Sequence, residues 1–495
     1  IAGARATIGL ILSKHWFDEK EGVVIYGATG TGQQLANALA GGKTYQPLAF
    51  IDNKKRYQGR SVSGLKVYSP SKINKLIKKH GQFKVLIAVS KSTPLRMKEI
   101  IASLEPYAVE LLAIPSMSDI VSGKKAIDEL REISVDELLG REPVNPIPEL
   151  LTANIRNKVV MVSGAGGSIG KELCRQIIQQ GPQKLVLLDI SEAFLYEINQ
   201  ELSETLAESG ADIELAPLIG NVQNGMLMTR IFNQHKVQTI YHAAAYKHVP
   251  LLEHNVLEAV RNNVFGSKTV AEAAMEAGIE RFVLVSSDKA VRPTSVMGAT
   301  KRLAELALAY RAKGTSLAVS MVRFGNVLGS SGSVVPLFER QIAAGGPLTL
   351  TDDQVSRYFM TVEEAASLVL QGSAHNGEAG EASLYVLDMG NPIRIRTLAE
   401  AMIRMKGMVP YQEIKIKTTG LRPGEKLHEE LTYADERLIN TGIDGLNKVT
   451  PQSRKKEPEG FSDQLDVLLR MAADRDADAA LKVLGELVPA YDPPK

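Results

Sequence analysis

Twice in this chain a short apolar run ends in closely spaced glycines, passes into a helical stretch, and is followed by a second apolar run ending in aspartate. This order of strand, glycine turn, helix and strand is what a doubly wound parallel α/β sheet requires. The second occurrence is the stronger. Lys158 to Ser163 reads as a strand, G-A-G-G-S-I-G follows at 164–170, a helix runs through Gln180, and the strand Lys184 to Leu188 ends at Asp189. Gly164 permits a tight turn, Gly167 lets backbone approach a pyrophosphate, and Gly170 allows close packing; Gly166, Ser168 and Ile169 complete a loop at the positive end of a helix. Asp189 stands 19 residues after Gly170, about where an acid grips a ribose 2′-hydroxyl. Such an acid repels a 2′-phosphate, and no Arg follows it in Ile190-Ser191-Glu192, so NAD is favoured over NADP.

Further strands extend the same sheet. Ile213 to Leu218 leads to Gly220-Asn221-Val222, where Asn221 and the Val222 backbone can meet an adenine. Gln238 to Tyr241 leads to His242-Ala243-Ala244-Ala245, whose small side chains either let the chain pass close to a cofactor or only pack tightly. Lys247-His248 is a polar pair in the following loop, and Asn262-Asn263 lies in the next helix, able to hold backbone carbonyls of a later strand. That strand is Phe282 to Val285; Pro293 breaks the chain beyond it, and Val296 to Leu306 is helical. Ser286, Ser287, Asp288 and Lys289 therefore face the crevice at the carboxyl end of the sheet, where a hydroxyl, an acid and an amine can exchange protons with a ligand.

The earlier occurrence, Gly22 to Ser116, contains G-A-T-G-T-G with Gly27, Gly30 and Gly32, and a strand Leu48 to Ile51 ending at Asp52. Its glycines either bind a phosphate or serve packing alone, and no proton-transfer cluster accompanies them. The expected organisation is a remnant at 1–21, a Rossmann-like domain at 22–116, a connector at 117–156, a catalytic domain at 157–440 and a helical extension at 441–495. In the last, Phe461 to Val488 has the periodicity of a packing or partner-facing helix pair.

A formal net charge of +2 with scattered basic residues argues against a nucleic-acid partner. The one cysteine, Cys174, excludes an internal disulfide and fits a reducing compartment. No apolar run approaches the length of about 20 residues that spans a bilayer, no secretory signal is present, and no metal site is expected. Because the chain begins at Ile1, it is expected to be a fragment whose membrane region is missing.

Residues from about 155 to 440 resemble an extended short-chain dehydrogenase/reductase, and specifically the membrane-associated nucleotide-sugar 4,6-dehydratases of the polysaccharide-biosynthesis family. The resemblance rests on G-A-G-G-S-I-G, H-A-A-A-Y-K-H-V-P-L-L-E at 242–253, S-D-K-A-V-R-P-T at 287–294, R-F-G-N-V-L-G-S at 323–330 and L-R-P-G-E-K at 421–426. Gly22–Ser116 followed by D-E-L-L-G-R resembles the amino-terminal half of the long members, where transmembrane helices come first. The resemblance implies an α/β fold with two doubly wound Rossmann-like domains, the second carrying a smaller substrate lobe. It also implies a tightly bound, recycled NAD, a UDP-sugar substrate, a homo-oligomer, and a place on the cytoplasmic face of the cell membrane.

One departure from the wider superfamily is informative. Its Tyr-x-x-x-Lys pattern survives here as Met297-Gly-Ala-Thr-Lys301, and Met297 cannot titrate. The long dehydratases share this Met. Lys301 keeps the role of holding the nicotinamide ribose. The implied reaction moves a hydride from sugar C4 to the nicotinamide and back to C6, with loss of water and retention at C5. Lys289 is the candidate base at C5; to act it must be partly neutral near pH 7, which burial and the nearby Lys301 cation are expected to favour. Asp288 is the candidate acid for the C6 hydroxyl, with a pKa raised by desolvation, and Ser287 is expected to bond the 4-hydroxyl. Asp288 and a water are both open as acceptors of the 4-hydroxyl proton.

By the same resemblance, Lys247, His248, Arg323, Asn326, Ser330, Ser331, Ser333 and Val334 lie against the sugar and diphosphate. Pro347 and Thr349 run along the uracil. Arg357 and Arg422 are the expected diphosphate ligands, since a guanidinium fork matches phosphate oxygens, and Glu425 holds a ribose hydroxyl. The expected activity is conversion of UDP-N-acetylglucosamine to its 4-keto-6-deoxy derivative. A C4 epimerase is the alternative among enzymes, opposed by Met297 and Lys289, and a non-catalytic nucleotide sensor is the alternative outside them.

Overall fold

The computed structural model describes residues 20–89, 93–115, 125–127, 129–141, 144–330, 332–375, 379–451 and 460–494. It is an α/β protein whose chain forms two compact units.

The first unit comprises Ile1–Glu142 together with Phe338–Thr349 and Thr397–Lys417. Its sheet has strands β1 (Glu21–Tyr26), β2 (Tyr45–Ile51), β3 (Ser61–Val62), β4 (Leu65–Tyr68), β5 (Lys84–Ile87), β6 (Leu111–Ala113) and β7 (Arg131–Glu132), in the order β3-β4-β2-β1-β5-β6-β7. The central pairs are parallel and both edge pairs antiparallel. Alternate residues of β1 go to opposite faces, Val23 and Ile25 against Leu35 and Leu39, Val24 and Tyr26 against Ile73 and Ile101. The glycines after β1 have a packing reason: a Cβ on Gly32 would lie 1.9 Å from the Gly27 carbonyl oxygen.

The second unit comprises Pro143–Leu337, Leu350–Arg396 and Thr418–Lys495. Its strands are β8 (Val159–Ser163), β9 (Lys184–Asp189), β10 (Glu214–Ile219), β11 (Thr239–His242), β12 (Arg281–Val285), β13 (Ala318–Arg323), β14 (Ala382–Leu387), β15 (Glu436–Asn440) and β16 (Leu446–Pro451). They lie in the order β10-β9-β8-β11-β12-β13-β14-β16-β15, parallel as far as β14 and antiparallel beyond. The order reverses between β8 and β11, and a crevice opens at such a switch point, outside the strands' carboxyl ends. Helices α1 (Ser168–Gln179) and α2 (Val296–Ala312) start at that end, after β8 and β12.

Two further helices, α3 (Phe461–Asp474) and α4 (Ala477–Leu487), bury Leu465, Leu468 and Leu484 against Val260, Val264 and Leu303. Of the two readings of this pair, packing within the chain is the one observed. No helix among the described residues is long and apolar enough to cross a membrane.

Candidate active site

The glycine turn after β8 is built as its spacing predicts. Gly164 has φ of +72°, and a Cβ there would lie 2.6 Å from the Ala244 backbone nitrogen. The Ala243-Ala244-Ala245 stretch thus runs directly beside the turn. A Cβ on Gly170 would meet the Gly164 carbonyl oxygen at 1.9 Å, while one on Gly167 would meet only that oxygen, at 3.3 Å. Gly167, the residue before α1, is therefore the open point of the loop. Asp189, buried at the end of β9, accepts from the Gly166 and Ser191 amides, each at 2.8 Å. Asn221 and Val222 follow β10, with the Asn221 side-chain oxygen taking the Gln223 amide. An open backbone cradle at a helix start and a carboxylate at the tip of the second strand fit a dinucleotide with a free ribose diol.

The predicted helix around Asn262 is a π-helical stretch, Val260–Gly266, a form that clusters at functional sites. It turns Asn263 onto both backbone groups of Tyr246, at 2.9 and 3.0 Å, while Asn262 bonds Asn263 at 3.2 Å. The backbone these asparagines hold is therefore the loop after β11, not the strand β12 that the sequence suggested.

Beyond β12 the chain makes one 3₁₀ turn, Asp288–Ala290. The Ser287 hydroxyl starts it, accepting from the Lys289 amide and donating to Asp288 Oδ1 at 2.9 Å. Asp288 is 1 % exposed, and its second oxygen, Oδ2, has no partner. Burial, partly opposed by Lys289, pushes its carboxyl above the usual range. The Lys289 amine points inward, 3.1 Å from Asp288 Oδ1, 3.3 Å from Asn326 Oδ1 and 3.4 Å from Glu429 Oε1. Here an expectation is corrected. Burial favours a neutral amine, but the Asp288 and Glu429 carboxylates outweigh it and push Lys289 up.

Met297 and Lys301 lie on the first turns of α2. Met297 is buried with Leu252, Val256 and Ala259, an apolar setting with no proton to move. Lys301 is buried and donates to the Val285 carbonyl at 2.6 Å, and burial pulls its pKa down to about 8. Close packing joins α2 to the turn: a Cβ on Gly298 would sit 2.2 Å from the Lys289 carbonyl oxygen.

The R-P-G-E-K segment closes over the turn from the other side. Thr294 donates to the Gly424 carbonyl, Lys426 to the Val291 carbonyl and Tyr433 to the Ala290 carbonyl. That clamp brings Glu429 to Lys289, a contact 140 residues apart that no local sequence pattern announces.

The substrate candidates divide. Asn326 joins the cluster, and His248 meets the loop that carries Ser330 and Ser333, since a Cβ on Gly332 would touch its ring at 2.4 Å. Lys247 precedes His248 in the same loop, and Val334 begins the next helix. Ser331 lies outside the described residues. Arg323 is corrected outright: it is fully buried, with Nε and Nη2 on Glu305 and Nη1 on Glu436, and it faces the core. Arg357 is also mostly buried, bonding Glu425 at 2.9 Å and two backbone carbonyls. Glu425 is thereby committed to Arg357 and Thr351. Arg422 lines a cavity of about 420 Å³ with Thr294, Pro423 and Asp492. Pro347 and Thr349 belong to the first unit, and the amides offered to a uracil are spent there, Leu348 on Lys415 and Thr349 on Gln341.

Fold and glycine turn define a Rossmann-type α/β protein, and relatives of the chain are nucleotide-sugar epimerases and dehydratases by name. The profile of the family described as "Polysaccharide biosynthesis protein" matches residues 160–450, and the chain belongs to that family. A relative named capsular polysaccharide biosynthesis protein CapD, from Staphylococcus aureus, is 42% identical over 84% of this chain and 69% of its own length. Two others differ in activity by name. A Rickettsia canadensis UDP-glucose 4-epimerase is 31% identical over 57% of this chain and 79% of its own. An inverting UDP-N-acetylglucosamine 4,6-dehydratase from Campylobacter jejuni is 26% identical over 66% and 88%. Among solved structures, Pen from Bacillus thuringiensis is 32% identical with a TM-score of 0.52, over 60% of this chain and 88% of its own.

Proposed function

We propose that the chain is an NAD-dependent UDP-N-acetylglucosamine 4,6-dehydratase acting in surface-polysaccharide biosynthesis, with retention at C5. The observation that carries this is the inward-facing Asp288–Lys289 pair beside a helix whose usual phenol is the apolar Met297. When bound, the nicotinamide accepts a hydride from a secondary alcohol and can return it to another carbon of the same sugar. Gly164, Gly167 and Asp189 hold the cofactor, and Lys301 reaches its ribose. Asp189 favours NAD over NADP.

The chain's own residues then move protons. A ketone at C4 acidifies the C5 hydrogen, which Lys289 removes. Asp288, whose carboxyl burial pushes above the usual range, takes the 4-hydroxyl proton and donates it to the departing C6 oxygen. An epimerase has no use for a base at C5 and relies on a phenol for the 4-hydroxyl, so Lys289 and Met297 both favour dehydration. The full-length protein would sit at the cytoplasmic face of the membrane as a homo-oligomer, as in the long members this chain resembles.

Incubation with UDP-N-acetylglucosamine in heavy water tests the reading. The native protein should give a 4-keto-6-deoxy product labelled at C5, and Lys289→Met should retain cofactor yet yield neither product nor label. Native turnover that gives only the C4 epimer, or a Lys289→Met protein with unchanged turnover, would overturn it.

A further inference from the structure

An ammonium has three hydrogens, and around Lys289 the structure provides three acceptors: Asp288 Oδ1, Asn326 Oδ1 and Glu429 Oε1. Held this way the amine has no lone pair to offer. It becomes a base only if one hydrogen leaves along one of those three contacts. Asn326 cannot take it, and Asp288, having accepted the 4-hydroxyl proton in the oxidation, already carries the proton meant for C6. Glu429 remains. Its side chain is 3% exposed, and its second oxygen, Oε2, is buried without a partner, as is Asp288 Oδ2. Two uncommitted carboxylate oxygens inside a site are costly unless something that arrives there satisfies them.

We propose that Glu429 is a positioning residue of the reaction, fixing the Lys289 amine against Asp288 and taking one proton from it so that the amine becomes a base. The proposal rests on the dehydratase reading of this site. The protons balance. Transfer converts an ammonium and a carboxylate into an amine and a carboxylic acid without changing the net charge. The amine then takes the C5 proton, and the electron pair of that C–H bond becomes the enolate of the 4-ketone. Asp288 protonates the C6 oxygen, which leaves as water with the electrons of its C–O bond. Once the hydride is back on C6, the same ammonium, its hydrogens shared with solvent, gives a proton to C5 and recovers one from Glu429. The proton Asp288 gives to C6 is the one it took from the 4-hydroxyl in the oxidation, so it ends as the carboxylate it began as.

Four charged groups face Lys289 or its partners: Asp288 on its own turn, Arg357 at 3.9 Å from Glu429 Oε1, Glu429 itself, and Lys426. Burial is outweighed by Lys289, Arg357 and Lys426, which hold the Glu429 carboxyl below its usual range and so ionised at rest.

The test compares native protein, Lys289→Met, Glu429→Gln and Glu429→Asp from pH 6 to 10, reading kcat, KM and deuterium uptake at C5, with thermal unfolding to check folding. Glu429→Gln should lose about 100-fold in kcat at pH 7, with KM within about twofold. Its rate should recover as pH rises, because solvent hydroxide then strips the amine directly. A loss equal at every pH marks a merely structural role and overturns the proposal, as does native-like turnover. Should Glu429→Gln fail to fold, Glu429→Asp, which withdraws the carboxylate by one methylene, should lose about tenfold with the same recovery; native-like rates there overturn it equally. Native protein that makes no 4-keto product sinks the dehydratase reading and this proposal together. Active native protein with an indifferent Glu429 sinks this proposal alone.

Discussion

His242 ends β11 inside the sheet, its ring bonded at Nδ1 to the Ser163 hydroxyl at 2.7 Å and at Nε2 to the Ser267 hydroxyl at 3.1 Å. Burial, aided by the Lys301 cation, pulls its pKa down to about 3. An unfolded imidazole takes a proton below about 6.5, while the folded one stays neutral until about 3. Between these values the unfolded chain binds the extra proton, so stability falls as pH falls through that window, by about 1.4 kcal/mol per pH unit at most from this one group. Urea midpoints between pH 4 and 7 should therefore slope less in His242→Gln than in the native protein; equal slopes would show that His242 does not set the acid limit. The same scale explains which residues were legible. Asp189, Lys289 and Gly164 stand at fixed offsets from a strand end, and their places follow from the offset. Arg323 also ends a strand, but its charge is absorbed by Glu305 and Glu436, 18 residues before and 113 after it, and only tertiary packing decides that.

Elements position these residues by close contact, and Gly298 is where that is tightest. A Cβ added there would stand 2.2 Å from the Lys289 carbonyl oxygen, so an alanine must push α2 away from the Asp288 turn, since a backbone carbonyl cannot swing aside as a side-chain end can. Overpacking of this kind costs about 1–3 kcal/mol. Gly298→Ala should therefore melt lower and lose kcat more than KM, because the displaced turn carries the acid and the amine; unchanged kinetics and melting would mean that α2 and the turn are not rigidly joined. In sequence Gly298 reads only as the second residue of Met-x-x-x-Lys, and helical periodicity says nothing about what a face touches. The alternation of apolar strands with glycine turns sufficed for both parallel sheets, because it is local. The antiparallel pair β15–β16 and the clamp made by residues 424–433 depend on partners far along the chain and left no periodic signal.

At the scale of the molecule, the chain crosses from the second unit to the first and back twice, through Phe338–Thr349 and Thr397–Lys417. Within the first unit the second of these segments is well tied. Met405 packs on the core that holds Val24 and Ile101, Arg404 reaches Glu105 at 2.5 Å, and Lys406 pairs in backbone with Glu110 and in charge with Glu132. A fragment starting at residue 144 keeps the glycine turn after β8, the Asp288 turn and Glu429, yet strips Thr397–Lys417 of its cover. Re-exposing one large apolar side chain costs about 1.5–3 kcal/mol, and a domain's whole stability is only about 5–15 kcal/mol. The fragment should thus melt well below the full chain and self-associate through the bared segment, and residues 20–142 added in trans should bind it and restore the melting temperature. Calorimetry on the fragment, the full chain and the mixture decides the matter: a fragment that melts cooperatively at the full chain's temperature, and gains nothing from the added piece, would show that Thr397–Lys417 stands without the first sheet.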